Sequence, residues 1–266
     1  MDDLSEDIQQ RVESEYVKCT YDSIAQDFSN TRYKKWPKVD NYLKSLPLGN
    51  LLLDVGCGNG KYLDNQSTLN IGCDISANLL SICRQKGFEV VQCDMARLPF
   101  RTGIFDSIIS VAALHHVVTA KRREECLRKQ TELLEPRGGS MLIQVWAFEQ
   151  KLEEYNPYLK SVAPDVTSPS RQVIIDKDVA IPVHKNRTQF KSQDVLVPFH
   201  TKTAKSELDT STCSTEVIEK ERLRYYHLFK QGELDRLIGM VPGVSVVESY
   251  YDCGNWCSIL RRQVGS

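Results

Sequence analysis

Between Leu51 and Trp146 short apolar runs alternate with amphipathic stretches. Leu51-Leu52-Leu53-Asp54-Val55, Leu69 to Asp74, Glu89 to Asp94 and Phe105 to Val111 each have the length of a strand, and a fifth runs from Ser140 to about Trp146. Apolar strands separated by helical periodicity are the mark of βαβ units and a parallel sheet. Ser76 is placed to cap a helix bearing Leu79, Leu80 and Cys83. Another helix is predicted to start near Thr119 and to stop at Pro136-Arg137-Gly138-Gly139.

The pattern changes after Trp146. From Ala147 to about Glu221 there is no glycine, whereas half of the chain's ten prolines fall there among many Ser, Thr, Lys and Asp residues. This predicts a flexible insertion over residues 150–215, pinned by the apolar island Val195-Leu196-Val197-Pro198-Phe199. Order is expected to return at Arg222, followed by a helix from about Gly232 to Met240 and strands from Val244 to Tyr251 and Asn255 to Arg262. The short turn Asp252-Cys253-Gly254 makes that last pair antiparallel. The reading is one α/β domain over residues 1–266, a Rossmann-like seven-stranded sheet with helices on both faces, a terminal antiparallel hairpin and an N-terminal helical extension over residues 1–45.

Composition narrows the function classes. The 266 residues are 41% apolar and 26% charged, enough for a sizeable core, and fibrous or disordered readings fall away. With 34 basic and 35 acidic side chains there is no global pull toward nucleic acid, so an RNA partner needs a local patch. Arg32, Lys34, Lys35 and Lys38, interleaved with Tyr33 and Trp36, form the best candidate, with Lys121-Arg122-Arg123 as a second. Nine cysteines without a C-x-x-C pair read as reduced thiols rather than a metal site. The acidic N-terminus and the lack of a long apolar run predict an intracellular chain with no membrane span.

Asp54-Val55-Gly56-Cys57-Gly58-Asn59-Gly60 closes the first strand. A dinucleotide fingerprint needs a small residue where Lys61 stands, and no P-loop spacing is present. The acid-x-G-x-G-x-G pattern instead resembles motif I of S-adenosylmethionine-dependent methyltransferases, whose class I members have this seven-stranded arrangement. An amino-acid end in place of phosphates suits it. Backbone N–H groups can meet the carboxylate, and Asp54 offers charge to the ammonium. Asp74 ends the second strand where the ribose acid belongs, and Asp94 with Met95 ends the third where adenine is read. The expected cofactor set is Asp54, Gly56, Cys57, Gly58, Gly60, Asp74, Ile75, Asp94 and Met95.

Further motifs make the resemblance more specific: Thr31-Arg32-Tyr33-Lys34-Lys35-Trp36-Pro37, Ala113-Leu114-His115-His116, Val145-Trp146-Ala147-Phe148-Glu149-Gln150, Gln193 to Phe199, Arg224-Tyr225-Tyr226-His227-Leu228-Phe229 and Gly254-Asn255-Trp256-Cys257. Together they resemble the eukaryotic tRNA wobble-uridine carboxymethyl methyltransferase family, with Phe199 departing from its usual Trp. The resemblance implies esterification of 5-carboxymethyluridine in the tRNA anticodon loop. It also implies a small zinc-binding activator subunit added to the third-strand edge, and a cytoplasmic or nuclear location. A carboxylate is already ionised at neutral pH, so the reaction needs alignment rather than a strong base. Arg32 is expected to clamp it, His116 to face the site with His115 in the core, and Tyr225, His227, Asn255 and Trp256 to bind or stack the base. Tyr226 is expected to pack in the core. The rival readings are a small-molecule carboxylic-acid O-methyltransferase, which needs no basic patch, and a non-catalytic S-adenosylmethionine-binding regulator.

Overall fold

The computed structural model describes residues 1, 4–151, 171–199 and 222–264. Helices make up most of residues 6–45: α1 (Glu6–Glu13), a π-helical stretch (Ser14–Cys19), α2 (Thr20–Thr31) and α3 (Pro37–Ser45). α1 is capped by Ser5, and α3 opens on Pro37, whose missing N–H costs nothing at a helix start. Next come β1 (Asn50–Val55), β2 (Thr68–Asp74), α4 (Ala77–Gln85), β3 (Glu89–Gln92), β4 (Ser107–Val111), α5 (Ala120–Leu133) and β5 (Ser140–Trp146). The side chains of Ser76 and Thr119 cap α4 and α5 by accepting the N–H groups of Leu79 and Arg122.

The main sheet has seven strands in the order β10-β11-β5-β4-β1-β2-β3, where β10 is Val244–Asp252 and β11 is Asn255–Arg262. β1 to β5 run parallel, and β11 lies antiparallel to both β5 and β10. Alternation along each central strand splits the core in two. Leu52, Ile109 and Leu142 meet Val39 and Leu43 of α3, whereas Leu53, Ile108 and Ile143 meet Cys126 and Leu127 of α5 and, through the same cluster, Leu234 and Ile238 of α6 (Glu233–Gly239). With both faces covered, these strands read as continuous apolar runs.

β3 stops at Gln92, two residues short of the expected end. The Asp94 carboxylate accepts the Ala96 N–H at 2.9 Å and its carbonyl accepts that of Arg97 at 2.8 Å, so the chain turns out of the sheet there. The insertion expected to be flexible over 150–215 is corrected where it is described. Gln172–Asp176 (β6) and Val179–Pro182 (β7) pair as a hairpin, and Asp194–Phe199 (β8) pairs with Arg222–His227 (β9). Alternating Val and Ile positions outweigh the polar composition, and Ile181, Val195, Leu196 and Val197 are all buried. Residues 152–170 and 200–215 lie outside the described residues. No described helix is long and apolar enough to cross a membrane.

Leu53, fully buried at the centre of the sheet, tests this core. Leu53→Ala is expected to cost about 3 kcal/mol of unfolding free energy, measured by urea denaturation, with the slope of the transition unchanged.

Candidate functional site

A cavity of about 1070 Å³ opens beyond the carboxyl ends of β1, β2, β3 and β4, where open α/β sheets bind ligands. Asp54, Asp74 and Asp94 all line it. Asp54 is 2% exposed and its Oδ2 has no hydrogen-bond partner. Burial, and then the neighbouring Asp74 charge, push its pKa up to about 7, while Lys61 pulls the other way. An orphaned buried carboxylate aimed into a cavity is suited to a cationic group. Asp74 accepts N–H bonds from Gly58 and Ser76, both at 2.9 Å. Gly56, at φ +77°, is obligatory, because a Cβ there would stand 2.3 Å from that of Ala113. Cys57, Gly58, Ile75 and Met95 also line the cavity. Gly60 does not. Its missing Cβ makes room for Phe88 and Cys83, so it serves packing of the loop on α4.

The opposite wall is aromatic and basic. His115 and His116 both face the cavity. His116 Nδ1 lies 2.7 Å from the Tyr225 carbonyl and therefore carries the proton, and Nε2 accepts from the Tyr21 hydroxyl at 2.9 Å. The Tyr21 oxygen lies 3.3 Å from the Tyr226 hydroxyl and so accepts from it. His115 Nδ1 accepts the Trp146 backbone N–H at 2.9 Å. Burial holds both imidazoles neutral, and that of His116 is pushed down to about 3.

β9 corrects the expected assignment of its side chains. Tyr225 and His227 point away from the cavity and Arg224 lines it, while Tyr226 packs as expected in a core cluster with Phe190, Val195, Val197 and Leu228 and also reaches the cavity. Tyr225 is fully buried, and its hydroxyl donates to Asp194. Both His227 ring nitrogens face carboxylates, Asp194 at 2.9 Å and Glu233 at 2.7 Å, so both carry protons. Arg224 is 7% exposed, with its guanidinium 5.1 Å from the Phe199 ring centre and 5.3 Å from that of Tyr226, and it also bonds the Tyr21 hydroxyl. The sequence carried a signal for this register. Leu223 is the aliphatic side chain of Arg222–His227, so the core face takes 223, 225 and 227 and leaves 224 and 226 for the site. Trp256 is also corrected: its Nε1 donates to Glu149 at 3.1 Å and its ring packs on Tyr251 away from the cavity. Asn255 lines the cavity, and its amide ties the turn carbonyls of Asp252 and Cys253. Sequence reasoning passes over Tyr21, Lys61 and Trp146, which also line the cavity. Burial lowers the Lys61 pKa to about 8, against the Asp54 charge, and its ammonium sits 4.1 Å from the Trp36 ring centre.

Arg32, Tyr33, Lys34 and Arg187 line the mouth, all four exposed. Lys35 and Lys38 are instead drawn to Asp64 and Asp252. Arg122 and Arg123 are not free to meet phosphate: Arg122 pairs with Glu13 and Asp94, and Arg123 is buried against the carbonyls of Val117 and Val118. Ala112, Arg187 and Cys253 are the non-glycine residues at positive φ among the described residues, and all three line the cavity. Strain of this kind concentrates at functional sites.

A family model described as a methyltransferase domain matches residues 53–142. The tRNA (carboxymethyluridine(34)-5-O)-methyltransferase of Schizosaccharomyces pombe is 35% identical, over 94% of this chain and 97% of that protein. The protein of that name from Xenopus tropicalis is 44% identical, over 94% of this chain and 41% of its own length. The chain spans less than half the length of the vertebrate relatives of that name. Among solved structures, the CcbJ methyltransferase of Streptomyces caelestis superposes with a TM-score of 0.61 at 16% identity, covering 93% of this chain and 99% of that one, which is a likeness of fold.

The His227 cluster gives a pH test. Burial disfavours the charged ring, but hydrogen bonds to Asp194 and Glu233 outweigh it and hold the pKa above its usual value. The same bonds hold both carboxyls below theirs despite burial. The histidine's contribution is complete below about pH 6.5 and is lost as pH rises through its raised folded value, whereas the carboxylates lose theirs in acid. Melting temperature between pH 6 and 8 should fall in the unaltered chain, and this decline should be reduced in His227→Gln.

Proposed function

The chain belongs to the family of tRNA (carboxymethyluridine(34)-5-O)-methyltransferases, and from that premise we propose that it methylates the carboxylate of 5-carboxymethyluridine at the tRNA wobble position, with S-adenosylmethionine as donor. The observation that carries this reading is Arg224, a buried guanidinium beside the Phe199 and Tyr226 rings in the cavity that Asp54 also lines. A planar, permanently charged fork inside an aromatic box is suited to a carboxylate attached to a stackable ring. In this reading the clamp expected at Arg32 moves to Arg224, and the exposed Arg32 serves the mouth.

The residues fit the donor. Asp54, with its orphaned oxygen, meets the ammonium, Asp74 the ribose hydroxyls, and Asp94 with Ile75 and Met95 the adenine, while Gly56, at positive φ against Ala113, lets the loop turn beside the cavity. Bound there, S-adenosylmethionine supplies a methyl group on a cationic sulfur that leaves as a neutral thioether. The acceptor is ionised at neutral pH, so no residue need remove a proton. Neutral His115 and His116 agree with that. His116 fixes the Tyr21 hydroxyl, and Tyr21 in turn receives Tyr226 and Arg224. The protein's contribution is alignment in a preformed cavity, an effect worth roughly 7–11 kcal/mol at best.

The anticodon loop is held at the mouth by Arg32, Lys34 and Arg187, with Tyr33 as a stacking platform, 69% exposed. A small zinc-binding activator adds a strand to β3, the edge of the sheet next to the cofactor loops.

Methyl transfer to tRNA lacking the modification, with the activator present, tests the reading by nucleoside mass spectrometry. The expected product is 5-methoxycarbonylmethyluridine. Arg224→Lys should lower kcat/KM by about a hundredfold with cofactor binding near normal. Transfer to small carboxylic acids but not tRNA, or cofactor binding without transfer, overturns it. Separately, donor affinity should fall as pH drops below about 7 through the Asp54 pKa, by up to about tenfold per pH unit. In calorimetric titrations Asp54→Asn should bind weakly and lose this dependence.

A further inference from the structure

Arg122 stands in the first turn of α5, where a cation opposes the helix dipole. Two carboxylates from distant parts of the chain hold it there. Its Nε donates to Glu13 Oε2 at 2.9 Å, and its terminal nitrogen donates to Asp94 Oδ2 at 2.5 Å. Glu13 is the last residue of α1 and faces the cavity, and its other oxygen accepts the Val118 N–H at 3.1 Å. Gln9, one turn earlier on α1, accepts from the Thr119 hydroxyl at 3.0 Å. The N-terminal helices reach the other cofactor loops as well. Asp22 of α2 accepts from the Ser76 hydroxyl at 2.6 Å and the Asn78 N–H at 3.1 Å, and the Asn59 amide donates to the Ser29 hydroxyl at 3.3 Å.

The Asp94 carboxylate is therefore fixed from two sides. Oδ1 takes the Ala96 N–H and Oδ2 takes Arg122, which leaves each oxygen one lone pair for a ligand. We propose that Glu13 and Arg122 are positioning residues of the cofactor site: through them the N-terminal helix α1 orients Asp94 toward the exocyclic amino group of adenine. The proposal rests on the donor reading above and is independent of the methyl acceptor. Adenine selectivity then belongs to a three-residue chain, Glu13, Arg122 and Asp94, whose first member lies outside the sheet domain's βαβ core.

The test compares binding of S-adenosylhomocysteine with that of its 6-desamino analogue, in which purine replaces adenine. A hydrogen bond to a charged acceptor is worth about tenfold or more, so the unaltered chain should prefer the amino compound by at least about tenfold. Glu13→Gln keeps an oxygen for Val118 but removes the carboxylate charge that Arg122 faces, and should cut that preference to about threefold or less, with affinity for the desamino compound little changed. Arg122→Lys, which keeps the charge but cannot fork two carboxylates, should do the same. Gln9→Ala, which weakens α1 docking without touching Arg122, should keep the preference. Full preference in Glu13→Gln overturns the proposal, as does its loss in Gln9→Ala, which would mean that helix docking in general is responsible. If the unaltered chain fails to bind S-adenosylhomocysteine, the donor reading falls and the proposal with it. Binding without tRNA methylation would leave the proposal standing and remove only the acceptor.

Discussion

Leu53 and Val55 face one side of the sheet and Leu52 the other, and both sides are sealed by helices, so β1 can carry polar atoms only where it ends. The same constraint acts on β2 and β4. A sheet buried on both faces pushes its chemistry to the carboxyl edge, where loops replace neighbours and backbone N–H groups are free to turn toward a ligand. That edge holds Asp54, Asp74 and the glycine loop at one end and the histidine pair at the other. A carboxyl group 2% exposed with an unpartnered oxygen is costly in a folded chain. It stays because the surrounding strands leave it nowhere else to point, and the cost becomes affinity once a cation arrives.

The cavity is polarised as a result. It is lined by the three aspartates at or beyond the strand ends and by Arg224 from the β8–β9 hairpin, with the exposed Arg32, Lys34 and Arg187 also lining it. A donor with a cationic amino-acid end and a cationic sulfur is drawn to the first set, and an anionic acceptor to the second. Neutral histidines between them add no charge that would compete with either side. Lys61 moderates the aspartate set by sharing the Asp54 charge, and both pKa values move toward neutrality under burial. The arrangement orients two oppositely charged ligands toward one another without a base.

The two halves of the site differed in legibility for a physical reason. Donor-side residues are local to strand ends: a turn needing glycine at 56 and acids closing successive strands leave a pattern within a few positions of each other. The seven-stranded architecture and its terminal hairpin were legible for the same reason, since periodicity and turn length are local. The acceptor wall is built by pairing across long separations. Tyr21 meets His116 across 95 residues, and β8, which lies with β6 and β7 in a stretch whose polar composition hid them, meets β9 from across more than twenty residues of sequence. Register there rests on one aliphatic residue, Leu223, and a shift of one position exchanges Tyr225 and His227 for Arg224 and Tyr226. Arg122 misled for the opposite reason: a run of three cations reads as surface until its carboxylate partners, 109 and 28 residues away, are in place.

Those long-range ties also decide what can vary independently. Motif I, Asp54 and Asp74 are fixed by the sheet in any chain with this core, whereas Asp94 lies beyond the end of β3 and is held by Ala96 and Arg122. Arg224, Tyr226 and Phe199 sit on a hairpin outside the main sheet, tied to α6 through His227 and Glu233 and to the end of β5 by the bridge between Ala147 and Phe229. A hairpin anchored by a few buried polar bonds can change its cavity-facing side chains at 199, 224 and 226 without disturbing the core-facing ones at 223, 225 and 227, because strand alternation separates the two sets. In the proposed reading the acceptor carboxylate meets one face of that hairpin, and the other face packs against the core.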